Sequence, residues 1–124
     1  MYPENLRYSK DHEWIEAKTG TNLKVGVSAY AIEQLGDIVH MDLPKVGDVF
    51  KAGDTFGTIE STKTVSDLYM PASGKVTAIN SELLKSPESL QSDATQWLVE
   101  IAVSAPQELE TLMDSKAYSK LIGI

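Results

Sequence analysis

The first candidate for a chemical role is Lys63, whose amine lies in a short polar segment, Ser61-Thr62-Lys63-Thr64. Turn signals flank this segment at Gly53-Asp54 and at Pro71, and the residues between them, Thr55 to Met70, are predicted to pair as a hairpin whose tip lies near Lys63. An amine at a hairpin tip would project into solvent from a rigid base. An isolated lysine at a turn is ordinarily a solvated surface residue, however, so its position alone assigns no chemistry.

Other residues that could do chemistry give weaker signals. The chain has no cysteine, which excludes a disulfide, a thiolate nucleophile and a cysteine-ligated metal. His12 and His40 have no carboxylate or cysteine at a recognised metal spacing, so we expect core or surface roles for both. Ser73-Gly74-Lys75 is similar to the end of a phosphate-binding loop, but Tyr69 stands at the position of the first glycine and Val76 at that of the magnesium ligand. Nucleotide binding is therefore not expected.

Composition and charge narrow the class of protein. The 124 residues, of which 42% are apolar, suit one domain, 1–124, with one core. Asp and Glu number 18 against 11 Lys and Arg, so the net charge is −7 and nucleic acid is not an expected partner. No apolar run has the length of a membrane span, and the opening residues Met1-Tyr2-Pro3-Glu4-Asn5 lack the basic region of a leader. The sequence therefore predicts a cytoplasmic protein with no membrane partner.

Apolar alternation with a period of two predicts short, half-buried strands around Leu23 to Val27, from Trp97 to Val103 and around Val76 to Ala78. Shorter apolar runs of strand length are Trp14-Ile15, Ile38 to Met41 and Val49-Phe50. Many short strands separated by glycine-rich turns are typical of a sandwich or a small barrel.

Helical spacing is confined to a few peripheral segments. Ser28 is a candidate N-cap for a helix that ends at Gly36, and Glu82 to Lys85 can form one further turn. Near the C-terminus, Ser104-Ala105-Pro106-Gln107 has the pattern of a capping box before a helix that includes Leu109, Leu112 and Met113, and a second helix is predicted over Ala117 to Ile122. The predicted class is mainly β with peripheral helices, including a C-terminal helical segment.

The segment from Glu60 to Gly74, which reads ESTKTVSDLYMPASG, resembles the lipoylation segment of glycine cleavage system H proteins. Four further segments resemble motifs of the same family in the same order, and together they cover nearly the whole chain. They are Tyr8 to Trp14, Gln34 to Val39, Leu43 to Gly47 and Asp114 to Leu121. The resemblance implies a flattened barrel or sandwich hybrid of the lipoyl-domain type.

The resemblance also implies roles for individual residues. Lys63 would carry lipoate, and Glu60 would help the attaching enzyme select this lysine, although Glu60 could equally be a charged edge residue that blocks strand pairing. Glu13 and Asp67 match acidic positions that contact the amine on the arm in a shallow cleft; alternatively, each is a solvated carboxylate. Gln34 stands where family members often have histidine, and the loop before Trp97 is shorter than usual and lacks glycine.

The resemblance implies a carrier and not an enzyme. The chain would take the aminomethyl group of glycine from glycine decarboxylase to the aminomethyltransferase, and dihydrolipoamide dehydrogenase would reoxidise its lipoate. A lipoate ligase or lipoyl transferase would load Lys63, and a shuttle that visits several enzymes is best served as a monomer. Two alternatives stay open: an H-like donor or store of lipoyl groups for other complexes, which the short loop before Trp97 motivates, and an interaction module whose lysine is never modified.

Overall fold

The computed structural model describes residues 5–17, 20 and 22–123, so residues 1–4 of the opening segment discussed above lie outside the described residues. The strands, in chain order, are β1 (Leu6–Tyr8), β2 (Glu13–Glu16), β3 (Asn22–Val27), β4 (Ile38–Asp42), β5 (Val49–Phe50), β6 (Thr55–Ser61), β7 (Val65–Tyr69), β8 (Gly74–Ile79) and β9 (Val99–Val103). The helices are α1 (Ala29–Leu35), α2 (Ser81–Lys85), α3 (Ser89–Ser92), a 3₁₀ helix (Pro106–Thr111) and α4 (Ser115–Ile122).

Two antiparallel sheets form the body of the molecule. The larger has six strands in the order β1-β2-β3-β9-β8-β5, and the smaller has three in the order β4-β6-β7. Their inner faces enclose a core that includes Ile15, Val25 and Ile101 from the larger sheet and Ile59 from the smaller one, all fully buried. The mainly β prediction is confirmed, and the two sheets are not closed into a barrel.

The central hairpin forms as predicted, with β6 and β7 joined by residues 62–64. Its apolar alternation is imperfect because the pairing shifts between Thr55 and Gly57, so Phe56 is an extra residue and turns inward. Val65 lies on the opposite, outer face and is 60% exposed. The β-bulge at Phe56 therefore explains why the apolar residues of this hairpin do not alternate regularly.

Several local predictions are confirmed and others are corrected. The Ser28 side chain caps α1, which ends at Gly36 as expected, and Glu82 to Lys85 falls within α2. The predicted capping box at Ser104 is wrong: the helix that follows is a 3₁₀ helix preceded by Ala105, with no side-chain cap. Trp97 precedes β9 and does not begin it.

A second apolar cluster lies outside the main core and fixes the C-terminal helix. Tyr8, Trp14 and Tyr118 are its buried members, and Trp97 packs against them. The Tyr8 and Tyr118 rings stack with centroids 4.6 Å apart. Asp114 caps α4 by accepting a hydrogen bond from the Ala117 N–H.

We predict that Gly26→Ala lowers the free energy of unfolding by about 1–3 kcal/mol, the usual cost of forcing atoms into a packed site. Gly26 pairs with Trp14 across β2 and β3, and a Cβ on Gly26 would overlap the Trp14 indole ring. Urea unfolding measures the change. Lys75→Ala, at an exposed position of β8, is the control and should stay within about 0.5 kcal/mol of the parent. An unchanged Gly26→Ala midpoint would contradict this close packing.

Candidate functional site

The tip of the central hairpin is an ordered turn built around Ser61. The Ser61 hydroxyl oxygen accepts hydrogen bonds from the backbone N–H groups of Lys63 and Thr64, both at 3.2 Å. The Ser61 N–H in turn donates to the Thr64 carbonyl at 2.8 Å. A short hydroxyl side chain that holds two successive amides fixes the backbone of the turn while the Lys63 side chain stays exposed. The tip is therefore rigid at its backbone and accessible at its amine.

The tip rests on the segment Gly36-Asp37-Ile38, which joins α1 to β4 and which we call the tip platform. The Thr62 N–H donates to the Asp37 carbonyl at 3.0 Å. Gly36 has a φ of 83°, and a Cβ there would lie 2.8 Å from Lys63 Cε and 3.4 Å from Lys63 Nζ. Glycine at this position therefore supplies both the backbone conformation that ends α1 and the space that the lysine side chain occupies.

A β-bulge shapes β4 immediately after the platform. Ile38 pairs with Ser61 and His40 pairs with Glu60, so Val39 is an extra residue on β4 and is 51% exposed. Bulges bend a strand and often lie beside functional sites. Here the bend lies one residue from the platform that supports the tip.

A cleft of about 380 Å³ opens beside the tip, between α1 and β7. Its lining combines the β1–β2 turn, one side of α1 and the two strands of the hairpin. The lining residues are Asp11, His12, Glu13, Val27, Tyr30, Ala31, Gln34, Leu35, Ile59, Thr64, Ser66, Asp67 and Leu68. Thr64, the residue after Lys63, belongs to this lining, so the cleft extends to the hairpin tip.

Glu13 is 2% exposed, so the alternative that it is a solvated carboxylate is wrong. Its Oε1 accepts a hydrogen bond from the Ser9 hydroxyl at 2.9 Å, and its Oε2 accepts one from the Tyr69 N–H at 3.2 Å. Burial raises the pKa of Glu13 to about 7, although the hydrogen bonds from Ser9 and Tyr69 act in the opposite direction. Glu13 also lines a second cavity, of about 500 Å³, beside Pro71 and Met113.

Asp67 lines the cleft from β7, and its side chain is exposed. The structure therefore brings two of the sequence-predicted acidic residues, Glu13 and Asp67, to the same cleft. Glu60 lies elsewhere: it is exposed on β6 and pairs with His40 on one side and Val65 on the other. Because β6 is the central strand of its sheet, the suggestion that Glu60 blocks a sheet edge is wrong.

His12 is a member of the cleft whose position the sequence did not indicate. It has a φ of 73°, which is unusual for a residue with a side chain, and its Nδ1 lies 2.7 Å from the buried hydroxyl of Tyr118. The same hydroxyl is 2.6 Å from Ser28 Oγ, the cap of α1. Burial lowers the pKa of His12 more than the charge of Asp11 raises it, which favours the neutral ring.

This contact joins the C-terminal helix to the cleft. His12 and Tyr118 are 106 residues apart, and no spacing in the sequence could have linked them. The only local signal was the Asp11-His12-Glu13-Trp14 segment of the resemblance, which did not assign a role to the imidazole. Among the described residues, no group of three or more His, Asp or Glu is placed to hold a metal ion.

The family model described as Glycine cleavage H-protein matches residues 6–123 of this chain. The chain belongs to this family. Its members are lipoyl carriers and not enzymes, they carry lipoate on a lysine, and they act with the enzymes of the glycine cleavage system. The interpretation as an H protein is thereby confirmed.

Relatives and a solved structure agree with this family assignment over nearly full length. A glycine cleavage system H protein of Acidobacterium capsulatum is 50% identical over 124 residues, which cover 98% of this chain and 94% of the relative. One from Staphylococcus saprophyticus is 46% identical over 123 residues, covering 98% of this chain and 97% of the relative. The crystal structure of a glycine cleavage system H protein from Mycobacterium marinum matches with a TM-score of 0.91 at 35% identity, covering 99% of this chain and all 100% of that chain.

The tip and cleft fit the lipoyl group that the family carries. Lys63 is exposed on a fixed backbone, its side chain lies over Gly36 at the end of α1, and the next residue, Thr64, lines the cleft. The cleft offers apolar walls from Val27, Ile59 and Leu68, against which an aliphatic arm can lie. Asp11, Glu13 and Asp67 add carboxyl groups to the same lining.

The raised pKa of Glu13 predicts a pH-dependent stability. Below pH 4.5 the carboxyl is protonated in both the folded and the unfolded chain. As the pH rises from 4.5 to about 7, the unfolded chain releases this proton while the folded chain keeps it, so the contribution of Glu13 to stability falls. The total loss is about 3 kcal/mol, at about 1.4 kcal/mol per pKa unit.

Glu13→Gln removes this titration and is the variant to compare. We expect its free energy of unfolding, relative to that of the parent, to increase between pH 4 and pH 8 in urea titrations. A difference that stays constant with pH would show that the carboxyl is not protonated in the folded chain near neutral pH.

Proposed function

We propose that Lys63 is the lysine to which lipoate is attached. The observation that carries this proposal is the position of Lys63 at a fixed hairpin tip, over Gly36 and beside the cleft. Lipoate, when bound, supplies a disulfide that opens on reduction and can carry a one-carbon amine. The chain supplies an exposed lysine, holds that lysine in one orientation, and offers a cleft in which the arm can lie.

The chain would carry the aminomethyl group of glycine from glycine decarboxylase to the aminomethyltransferase, and dihydrolipoamide dehydrogenase would then reoxidise its lipoate. One tethered lysine at the tip raises the effective concentration of the cargo at each docked enzyme. A lipoate ligase or a lipoyl transferase would load Lys63. The cytoplasmic location, the monomeric state and the single domain 1–124 stay predictions; no helix of the described residues is long and apolar enough to cross a membrane.

Within the cleft, Glu13 and Asp67 would face the protonated amine of the cargo. A cation near Glu13 favours its carboxylate form over the neutral form that burial favours. The buried carboxyl would therefore release its proton to solvent when the protonated amine arrives, and the resulting carboxylate would form a charge-assisted hydrogen bond with that amine. Asp67 would supply a second, more exposed carboxylate at the same cleft.

Glu60 would act outside the cleft, as a recognition residue for the enzyme that attaches lipoate. It lies on β6, three residues before Lys63, with its side chain exposed on the outer face of the smaller sheet. An enzyme that grips the hairpin to reach Lys63 would meet this face.

The alternative in which the chain donates or stores lipoyl groups for other complexes also stays a prediction. It keeps Lys63 as the attachment site, and failure to pass the lipoyl group to an acceptor domain in a transferase assay would remove it. Family membership argues against an interaction module whose lysine is never modified, since family members carry lipoate.

We predict that Lys63→Arg abolishes lipoylation and changes the free energy of unfolding by no more than about 0.5 kcal/mol, because it keeps the charge at an exposed position but cannot form the amide. Intact mass spectrometry with peptide mapping, after incubation with lipoate and a lipoate ligase, measures the modification. Lys51→Arg, at another exposed turn, is the matched control and should be lipoylated like the parent. A lipoyl increment retained by Lys63→Arg would refute the assignment.

We predict that Asp67→Asn speeds the release of the one-carbon cargo from the lipoylated, loaded protein by about two- to fivefold, the scale of a partly exposed ion pair. Formaldehyde released over time in the absence of the aminomethyltransferase measures this rate. Asp42→Asn is the matched control, because Asp42 is exposed in the same cross-strand row as Thr58 and Asp67 but does not line the cleft. Equal release rates for the two variants would exclude a special role for Asp67.

A further inference from the structure

The side chain of Gln91 binds both ends of the tip platform. Gln91 lies on α3, and its Nε2 donates to the Gly36 carbonyl at 2.8 Å. Its Oε1 accepts a hydrogen bond from the Ile38 N–H at 3.3 Å. The Gln91 side chain therefore holds the residues on both sides of Asp37. The Asp37 carbonyl in turn accepts the hydrogen bond from Thr62 at the hairpin tip.

The chemistry of the platform suits a glutamine. The Gly36 carbonyl follows the last turn of α1, where helix carbonyls have no partner within the helix, and the Ile38 N–H lies where the chain enters the bulged strand. One group needs a donor and the other needs an acceptor. A carboxamide offers one of each, as a backbone peptide group would.

Gln91 itself is exposed, but the helix that carries it is anchored in the core. Its neighbour Leu90 is fully buried, so α3 is anchored immediately beside the residue that reaches the platform. Gln96 braces the same segment by donating from Nε2 to the Ser89 carbonyl at 3.1 Å. The buried side chain of Leu90 therefore anchors Gln91 through the chain, and the hydrogen bonds of Gln91 connect this anchor to the platform that holds the tip.

We propose that Gln91 is a positioning residue for Lys63. By fixing the carbonyl of Gly36 and the N–H of Ile38, it holds the Asp37 carbonyl in the place where it binds the tip. It also keeps the Gly36 backbone under the lysine stem, so that Lys63 is presented in one direction beside the cleft. This inference rests on the proposed attachment of lipoate to Lys63, but its first test does not.

The first test measures amide hydrogen exchange of the unmodified protein by NMR. Gln91→Met, which keeps the length of the side chain and removes both hydrogen bonds, should raise the exchange rate of the Thr62 amide by about fivefold, the scale of losing one hydrogen bond. The Lys63 and Thr64 amides, which bind Ser61 within the tip, should change less. Gln91→Glu keeps an acceptor for Ile38 but no donor for Gly36 in its ionised form, and it should also accelerate exchange of the Thr62 amide.

Gln96→Met is the matched control, because its lost hydrogen bonds lie within residues 89–96 and do not reach the platform. It should leave the Thr62 amide unchanged. An unchanged Thr62 amide in Gln91→Met would overturn the proposal. So would equal acceleration in Gln96→Met, which would assign the effect to loosening of the whole segment.

The second test compares lipoylation kinetics with a lipoate ligase under limiting carrier. We expect Gln91→Met to lower kcat/KM by about threefold or more, with a melting temperature close to that of the parent, while Gln96→Met retains the parental value. Parental kinetics for Gln91→Met, with lipoylation of the parent intact, would overturn the positioning role. Absence of lipoylation in the parent would refute the proposed attachment at Lys63 instead, and the exchange experiment would still decide whether Gln91 holds the tip.

Discussion

A buried carboxyl group connects the two sheets at the place where the cleft opens. Glu13 belongs to the larger sheet and accepts a hydrogen bond from the Tyr69 N–H in the smaller one. Burial of a carboxyl is unfavourable unless its oxygens are satisfied, and here Ser9 and Tyr69 each satisfy one. The base of the hairpin is therefore fixed at Tyr69, and its tip is fixed by the hydrogen bond from Thr62 to Asp37. Both ends of the lysine-bearing hairpin depend on contacts made outside it.

The parts of the fold that local patterns determine could be predicted from the sequence. Turn residues around Thr55 to Met70 were sufficient to place the hairpin and its tip, because strand pairing across a short turn is a local event. The Ser28 cap and the glycine end of α1 were predictable for the same reason. Family resemblance then supplied Glu13 and Asp67, which the fold brings to one cleft.

Other features depend on contacts between distant segments and had no local signal. The four-residue helix α3 is too short to show a helical period, and the three-residue strand β1 is defined by its pairing with β2 and by the bridge from Tyr8 to Met113. The contact between His12 and Tyr118 joins opposite ends of the chain. The central place of Glu60 in its sheet required the strand order, which the sequence pattern does not contain. Each of these features is determined by contacts between segments that are distant in the sequence. The hydrophobic periodicity of a single sequence does not contain those contacts.

The tip platform has a consequence for protein engineering. The lysine and its turn occupy one continuous hairpin, whereas the groups that support them come from the α1–β4 junction and, through Gln91, from α3. A peptide tag made from Thr55 to Tyr69 would contain Lys63 without the tip platform on which it rests. A graft that reproduces this presentation of Lys63 would therefore have to include the α1–β4 junction and α3, and also Glu13 of β2, which holds Tyr69 at the base of the hairpin.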